Sequence, residues 1–143
     1  MPGPFETHRD SFTISTDPSR LDVDTIADLL SRSYWANMRT REQLERALAH
    51  SLVFGLYDSS HQIGLARIVS DFTIFAYLCD VIIHESYRGQ GLGKWLMSAV
   101  HSHPDLVQVR RWMLVTSDAH GLYNQFGYTL LEQPERWMMK FDG

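Results

Sequence analysis

Val81-Ile82-Ile83-His84-Glu85-Ser86-Tyr87-Arg88-Gly89-Gln90-Gly91-Leu92-Gly93-Lys94 decides the fold of this 143-residue chain. Its first three residues are β-branched and apolar, which suits a buried strand. Three glycines follow in alternate positions. Leu92, Trp95, Leu96, Ala99 and Val100 then fall at i, i+3, i+4, i+7 and i+8, one face of a helix that stops before Pro104. A strand that passes through a glycine-rich loop into a helix builds an anion site. The first helical N–H groups have no intrahelical partner, and the helix dipole adds about half a positive charge there. Glycine lets the backbone come close to a phosphate.

The spacing selects among phosphate ligands. A Walker A loop needs Gly, four residues, then Gly-Lys-Ser/Thr. Here Arg88 stands where the first glycine belongs and Trp95 follows Lys94, so the pattern fails twice. A dinucleotide fingerprint begun at Gly89 needs Gly or Ala at position 94, which is Lys94, and no βαβ unit opens there. The form that fits is Arg/Gln-x-x-Gly-x-Gly/Ala, read at Arg88, Gly91 and Gly93.

Upstream, the chain reads as a loose leader over residues 1–10, then a strand around Phe12 and Ile14. A helix follows over Leu21 to Ser33, where Val23, Ile26, Leu29 and Leu30 share a face. Thr40 and Gln43 form a capping box for a second helix with Leu44, Ala47 and Leu48 on its apolar stripe. Leu52 to Tyr57 and Ile63 to Val69 read as a hairpin turned at Asp58-Ser59-Ser60. Thr73 to Ile83 is apolar apart from Asp80, which predicts a central strand buried on both faces. Downstream, Trp112 to Val115 reads as a strand. Asp118 is placed to cap a helix over Ala119 to Phe126, and Gly127 to end it in the left-handed conformation. Thr129 to Phe141 reads as two short strands around Gln133-Pro134. The order β, α, α, β, β, β, α, β, α, β, with a further strand in the tail, makes an α/β (α+β) domain on a mixed sheet, with residues 1–143 as one domain.

Composition narrows the function classes. With 44% apolar residues the chain buries a proper core, and its net charge of −4, with no Lys/Arg cluster beyond Arg110-Arg111, gives no nucleic-acid surface. No apolar run approaches the roughly 20 residues of a membrane helix, and the first ten residues lack the apolar stretch of a signal peptide. Cys79 is the single cysteine, so no internal disulfide forms, as suits a reducing, cytoplasmic setting. His101 and His103 look like a metal pair, but i and i+2 point apart on a helix, and no metal site is expected.

A second block supports the first. Thr116-Ser117-Asp118-Ala119-His120-Gly121-Leu122-Tyr123-Asn124-Gln125-Phe126-Gly127-Tyr128 resembles the Asn-x-x-Ala-x-x-Leu-Tyr-x-x-Phe-Gly-Phe/Tyr element of the GNAT superfamily of N-acetyltransferases. The Arg88 to Gly93 loop resembles that family's pyrophosphate loop, and the order of elements ahead of it is similar as well. Two departures stand out: Asp118 replaces the frequent Asn, and His84-Glu85 replaces a common Asp-Pro at the strand–loop corner.

The resemblance implies a mainly antiparallel sheet with a bulged and splayed central strand, flanked by helices. It implies acetyl-CoA as donor and direct transfer to a primary amine, with CoA as product and no acyl-enzyme. The pantetheine arm would pair with the backbone of Val81, Ile82 and Ile83, and one N–H near Ile82 or Ile83 would polarise the thioester carbonyl. The pyrophosphate would take N–H bonds from Gly89, Gln90, Gly91, Leu92, Gly93 and Lys94, with charge from Arg88. Asp118 is a further candidate at the cofactor. Tyr123 holds the family position of the general acid for the departing thiolate. Asp80, or a water held by it or by His84, is the candidate base for an amine whose free pKa is near 10.4. Tyr34 and Trp35 fall where such enzymes shape the acceptor pocket. The acceptor is a small-molecule or protein amine, and exposed C-terminal strands would allow a homodimer. The rival from another class is a module that binds or senses acyl-CoA without chemistry; a retained Tyr123 speaks for the enzyme.

Overall fold

A computed structural model describes residues 4–142. Six strands lie side by side in chain order: β1 (Glu6–Arg9), β2 (Phe12–Ser15), β3 (Leu52–Asp58), β4 (His61–Ser70), β5 (Phe75–Ile83) and β6 (Arg111–Met113). Every neighbouring pair is antiparallel except β5 and β6, which are parallel. Helices α1 (Val23–Ser31) and α2 (Arg41–Ala49) cover one face through Ile26, Leu29, Leu30, Leu44 and Leu48, packed on Val53, Leu65 and Ile82. Helix α3 (Leu92–Ser102) covers the other with Leu92, Leu96, Met97, Ala99 and Val100 against Phe54, Leu56, Ala66 and Ile68. Short helix α4 (His120–Asn124) joins this second layer through Tyr123. The expected mixed, mainly antiparallel sheet flanked by helices is the observed one.

Local chemistry sets the element ends. Asp22 caps α1 by accepting from the Thr25 amide at 3.1 Å. Thr40 and Gln43 cap α2 reciprocally, as their spacing predicts. Ser59, at φ +53°, turns β3 into β4.

Five expectations are corrected. Within the leader, Glu6–Arg9 is an edge strand paired with β2 and is mostly exposed; its polar side chains carry no periodic signal. Residues 1–3 of that leader lie outside the described residues. The central strand starts at Phe75 and is not buried on both faces throughout: Ala76, Leu78, Asp80 and Ile82 are buried, while Phe75 and Tyr77 reach solvent. The strand after α3 ends at Met113, because Leu114 and Val115 leave the sheet. Asp118 does not cap α4. The N-cap is Ala119 with no side-chain bond, and Thr116 Oγ1 shapes the loop just ahead of it, accepting from the amides of Ala119 at 3.0 Å and Asp118 at 3.4 Å. Gly127 does adopt the left-handed conformation, at φ +91°. The tail forms no strands; a single 3-10 turn at Pro134–Arg136 interrupts an exposed segment.

Candidate active site

The site begins with an irregularity in β5. Arg67 pairs with Asp80 and Ile68 with Leu78, so Cys79 is an extra residue with no partner on β4. Such a bulge reverses which face the following side chains meet. Before it, Ala76 and Leu78 join the α3 layer; after it, Ile82 joins the α1–α2 layer, and Val81 and Ile83 turn to α3. The bulge therefore aims Asp80 at the α1–α2 side.

On its other edge β5 pairs with β6 only from Phe75 to Tyr77. Beyond Tyr77 the two strands diverge. Among the described residues, no strand covers that edge of β5 from Leu78 to Ile83. This is the splay the family resemblance implies, and it leaves a row of backbone donors and acceptors open to an extended ligand arm.

At the end of β5 the chain enters the glycine loop. Gly89 and Gly91 have φ of +81° and +77°, and Gly91 is the N-cap of α3 with no side chain bonded there. A Cβ at either glycine would meet nothing within 4 Å; backbone conformation, not crowding, selects glycine. Gly93 instead packs within ordinary contact of Ile83 and Leu122, joining α3 to both halves of the site. Among the described residues, none of the amides from Gly89 to Lys94 has a protein acceptor. Arg88 donates through Nε to the Ile83 carbonyl at 3.1 Å and is ion-paired with no described carboxylate; Lys94 is exposed and likewise unpaired. Free amides at a helix start with a spare guanidinium beside them fit a pyrophosphate.

Asp80 is fully buried, and its carboxylate is fully engaged. Oδ1 accepts from Trp35 Nε1 at 2.9 Å and from Arg39 at 3.0 Å; Oδ2 accepts from Arg39 at 2.7 Å and from Arg67 Nε at 2.7 Å. All four acceptor positions of the carboxylate are filled. Burial by itself pushes the Asp80 carboxyl up, but the Arg39 and Arg67 guanidiniums outweigh it and hold it below the ordinary carboxylate range. In place of the free carboxylate expected at the cleft, the structure has an anchor that ties the segment between α1 and α2 to the sheet. Sequence reading missed Arg39 and left Arg67 unassigned. Register with Asp80 across β4–β5 is the signal for Arg67; Arg39 has none, since it arrives from a loop.

That same segment carries Tyr34 and Trp35, in edge-to-face contact with ring centroids 5.0 Å apart. The Tyr34 hydroxyl accepts from the Ser117 amide at 3.2 Å, so the segment spans from β5 to the loop after β6. Tyr123 is buried from α4 and packs edge-to-face on Tyr128. Burial, then the Asp118 carboxylate and Tyr34, push its phenol up to about 12, so it carries its proton at neutral pH. With Leu114, Val115, Thr116 and His120 it lines a cleft of about 660 Å³. His84 accepts from the Ser86 amide through Nδ1 at 3.1 Å. His101 is held by Tyr128 at 3.1 Å and by aromatic neighbours, and the described residues contain no metal-binding cluster. No helix among the described residues is long and apolar enough to cross a membrane.

Comparison with known proteins agrees with this geometry. The family described as the acetyltransferase (GNAT) domain matches residues 49–130. A crystal structure from Xanthomonas campestris pv. campestris, described as belonging to the GNAT family, is 43% identical with a TM-score of 0.88, covering 91% of this chain and 92% of that one. An uncharacterized ycf52-like N-acetyltransferase of Prochlorococcus marinus is 38% identical over 77% of this chain and 64% of its own length. Serotonin N-acetyltransferase 2 of Oryza sativa subsp. japonica is 32% identical over 60% of this chain and 45% of its own. An acetyl-CoA-bound GNAT acetyltransferase of Elizabethkingia anophelis shares the fold, with a TM-score of 0.67 at 16% identity over 87% of this chain and 80% of that one. With a bulged and splayed central strand, a glycine loop of free amides, and a family match over more than half its length, the chain belongs to the GNAT acetyltransferases and is an acetyl-CoA-dependent enzyme.

Proposed function

We propose that the chain transfers acetyl directly to a primary amine, and that its residues divide the work as follows. Bound acetyl-CoA supplies the acetyl group as an activated thioester. The amides of Gly89 to Lys94 donate to the pyrophosphate, with charge from Arg88 and Lys94. The exposed edge at Val81 to Ile83 pairs with the pantetheine arm, and an N–H near Ile82 or Ile83 donates to the thioester oxygen as negative charge develops there. Tyr123 gives its proton to the departing sulfur. Asp118, at the start of the same helix, helps to hold that phenol protonated. The single observation that carries this reading is the open edge of β5 ending at a loop whose amides have no partner.

Asp80 acts here as a positioning residue and not as the base. A carboxylate that already accepts four hydrogen bonds has no lone pair for an amine proton, and its lowered pKa makes it a weak acceptor. It fixes Trp35 and Arg39, and with them Tyr34, as the wall of the acceptor pocket. The acceptor's proton passes to water at the open mouth. An unpaired Cys79 fits a cytoplasmic enzyme.

The test is acetyl-CoA binding by calorimetry, then release of free thiol with a panel of primary amines. The rice relative is named for serotonin, so arylalkylamines stand in the panel beside polyamines, amino acids and lysine peptides. Thiol release that depends on the amine is expected. Release at one rate whatever amine is present would overturn the proposal.

A further inference from the structure

Val69, Tyr77 and Met113 stand side by side across β4, β5 and β6, since Val69 pairs with Tyr77 and Tyr77 with Met113. Their strand neighbours Ile68, Ala76, Leu78, Trp112 and Leu114 belong to the α3 layer, so these three face the other way, toward the side that α1 and α2 cover further along the sheet. They stand outside the core that those helices build on Val53, Leu65 and Ile82, and Val69 is 43% and Tyr77 37% exposed. The sheet here ends in an open apolar shelf.

The next pair on the same face is Arg67 with Asp80. Asp80 takes two guanidiniums, Arg39 and Arg67, and among the described residues neither has a second carboxylate. The cluster therefore carries one positive charge in excess. Arg67 is nearly enclosed and donates through Nη1 to Ser51 at 3.0 Å, whereas the Arg39 side chain stays 29% exposed. A guanidinium has five N–H donors, and Arg39 spends two of them on Asp80. An excess positive charge on the acceptor wall repels a simple alkylammonium ion. It suits an acceptor that brings a carboxylate of its own.

Tyr77, Asp80 and Ile82 follow one another along β5, so the shelf, the spare guanidinium and the proposed thioester site lie in a row. Asp80 and Ile82 are two strand residues apart, about 7 Å. The acceptor's amine and carboxylate must then lie close together, with an apolar group on the side away from the thioester. We propose that the acceptor is an α-amino acid with an apolar or aromatic side chain, its carboxylate held by Arg39 and its side chain laid on Val69 and Tyr77. This assignment rests on the amine-transfer reading above and names its substrate class. The amine nitrogen bonds to the acetyl carbon, and the carbon–sulfur bond breaks with its electron pair going to sulfur. Sulfur takes the Tyr123 proton, the amine's proton goes to water, and the products are an N-acetylamino acid and CoA.

Phenylalanine and phenethylamine differ only in the carboxylate, so together they isolate the part of Arg39. With acetyl-CoA saturating, kcat/KM for phenylalanine should exceed that for phenethylamine by about 10-fold or more. Arg39→Gln should abolish the difference. Tyr77→Ala, at a half-exposed position, should keep the fold and lower the preference for phenylalanine over alanine. Should Arg39→Gln not fold, the parent enzyme and Tyr77→Ala decide alone. Phenethylamine or spermidine used better than phenylalanine, a carboxylate preference that survives Arg39→Gln, or an unchanged side-chain preference in Tyr77→Ala overturns the amino-acid assignment and leaves amine transfer standing. Thiol release that no amine stimulates overturns amine transfer itself, and the assignment with it.

Discussion

Tyr123 and Asp80 show how neighbours assign roles to two ionisable side chains. Burial pushes the Tyr123 phenol up to about 12, so the proposed donor stays loaded across the working range. Tyr123→Phe should lower kcat by about 10²-fold or more while leaving acetyl-CoA affinity unchanged by calorimetry. The parent enzyme should show no loss of kcat from donor ionisation up to about pH 10. An unchanged kcat in the variant would place the donor elsewhere. Asp80 has the opposite shift, downward, because two guanidiniums face it. Its folded pKa lies below the unfolded value of about 3.9. The stabilisation it provides is therefore complete above that value and is lost as pH falls through the folded pKa. Asp80→Asn should cost about 3 kcal/mol in urea unfolding at pH 7, since removing one partner leaves buried charge unpaired. The cost should shrink toward zero in strong acid. If Asp80 positions Trp35 and Arg39, the acceptor KM rises in this variant while acetyl-CoA affinity holds.

At the scale of elements, the turn from β5 into α3 is the working part. Its glycines are required by positive φ at Gly89 and Gly91, with open space where a side chain would project. Gly91→Ala should destabilise the fold by about 1–2 kcal/mol, the cost of a Cβ in the left-handed region. It should also weaken acetyl-CoA binding, because the amides of the α3 start lose their alignment. Unfolding and calorimetry measure the two effects separately. A loss of stability with unchanged binding would mean that the loop does not hold the pyrophosphate. The bulge at Cys79 is the second working element. One unpaired residue turns Asp80 toward α1 and α2 and returns Val81 and Ile83 to the α3 side.

For the whole molecule, the fold brings the edge of β5, the start of α3 and the segment between α1 and α2 to one end of the sheet. A donor bound across them should slow amide hydrogen exchange together in residues 78–83 and 89–94, while the β1–β2 hairpin at the far edge stays unchanged. Protection confined to the glycine loop would show that the open edge of β5 is not used.

Much of this was legible before any coordinates. Strand, glycine loop and helix around Arg88 to Lys94 announce themselves locally, through β-branched residues, positive-φ glycines and a 3.6-residue period, and the capping box at Thr40 does the same. The exposed strand β1 was not legible, because an edge strand with polar side chains has no period to read. Nor was the setting of Asp80. Its face depends on a bulge, and its partners come from positions 35, 39 and 67, which only folding brings together. The tail misled for the opposite reason. Its alternation is that of a strand, but a strand needs a neighbour for its backbone groups, and among the described residues the tail has none.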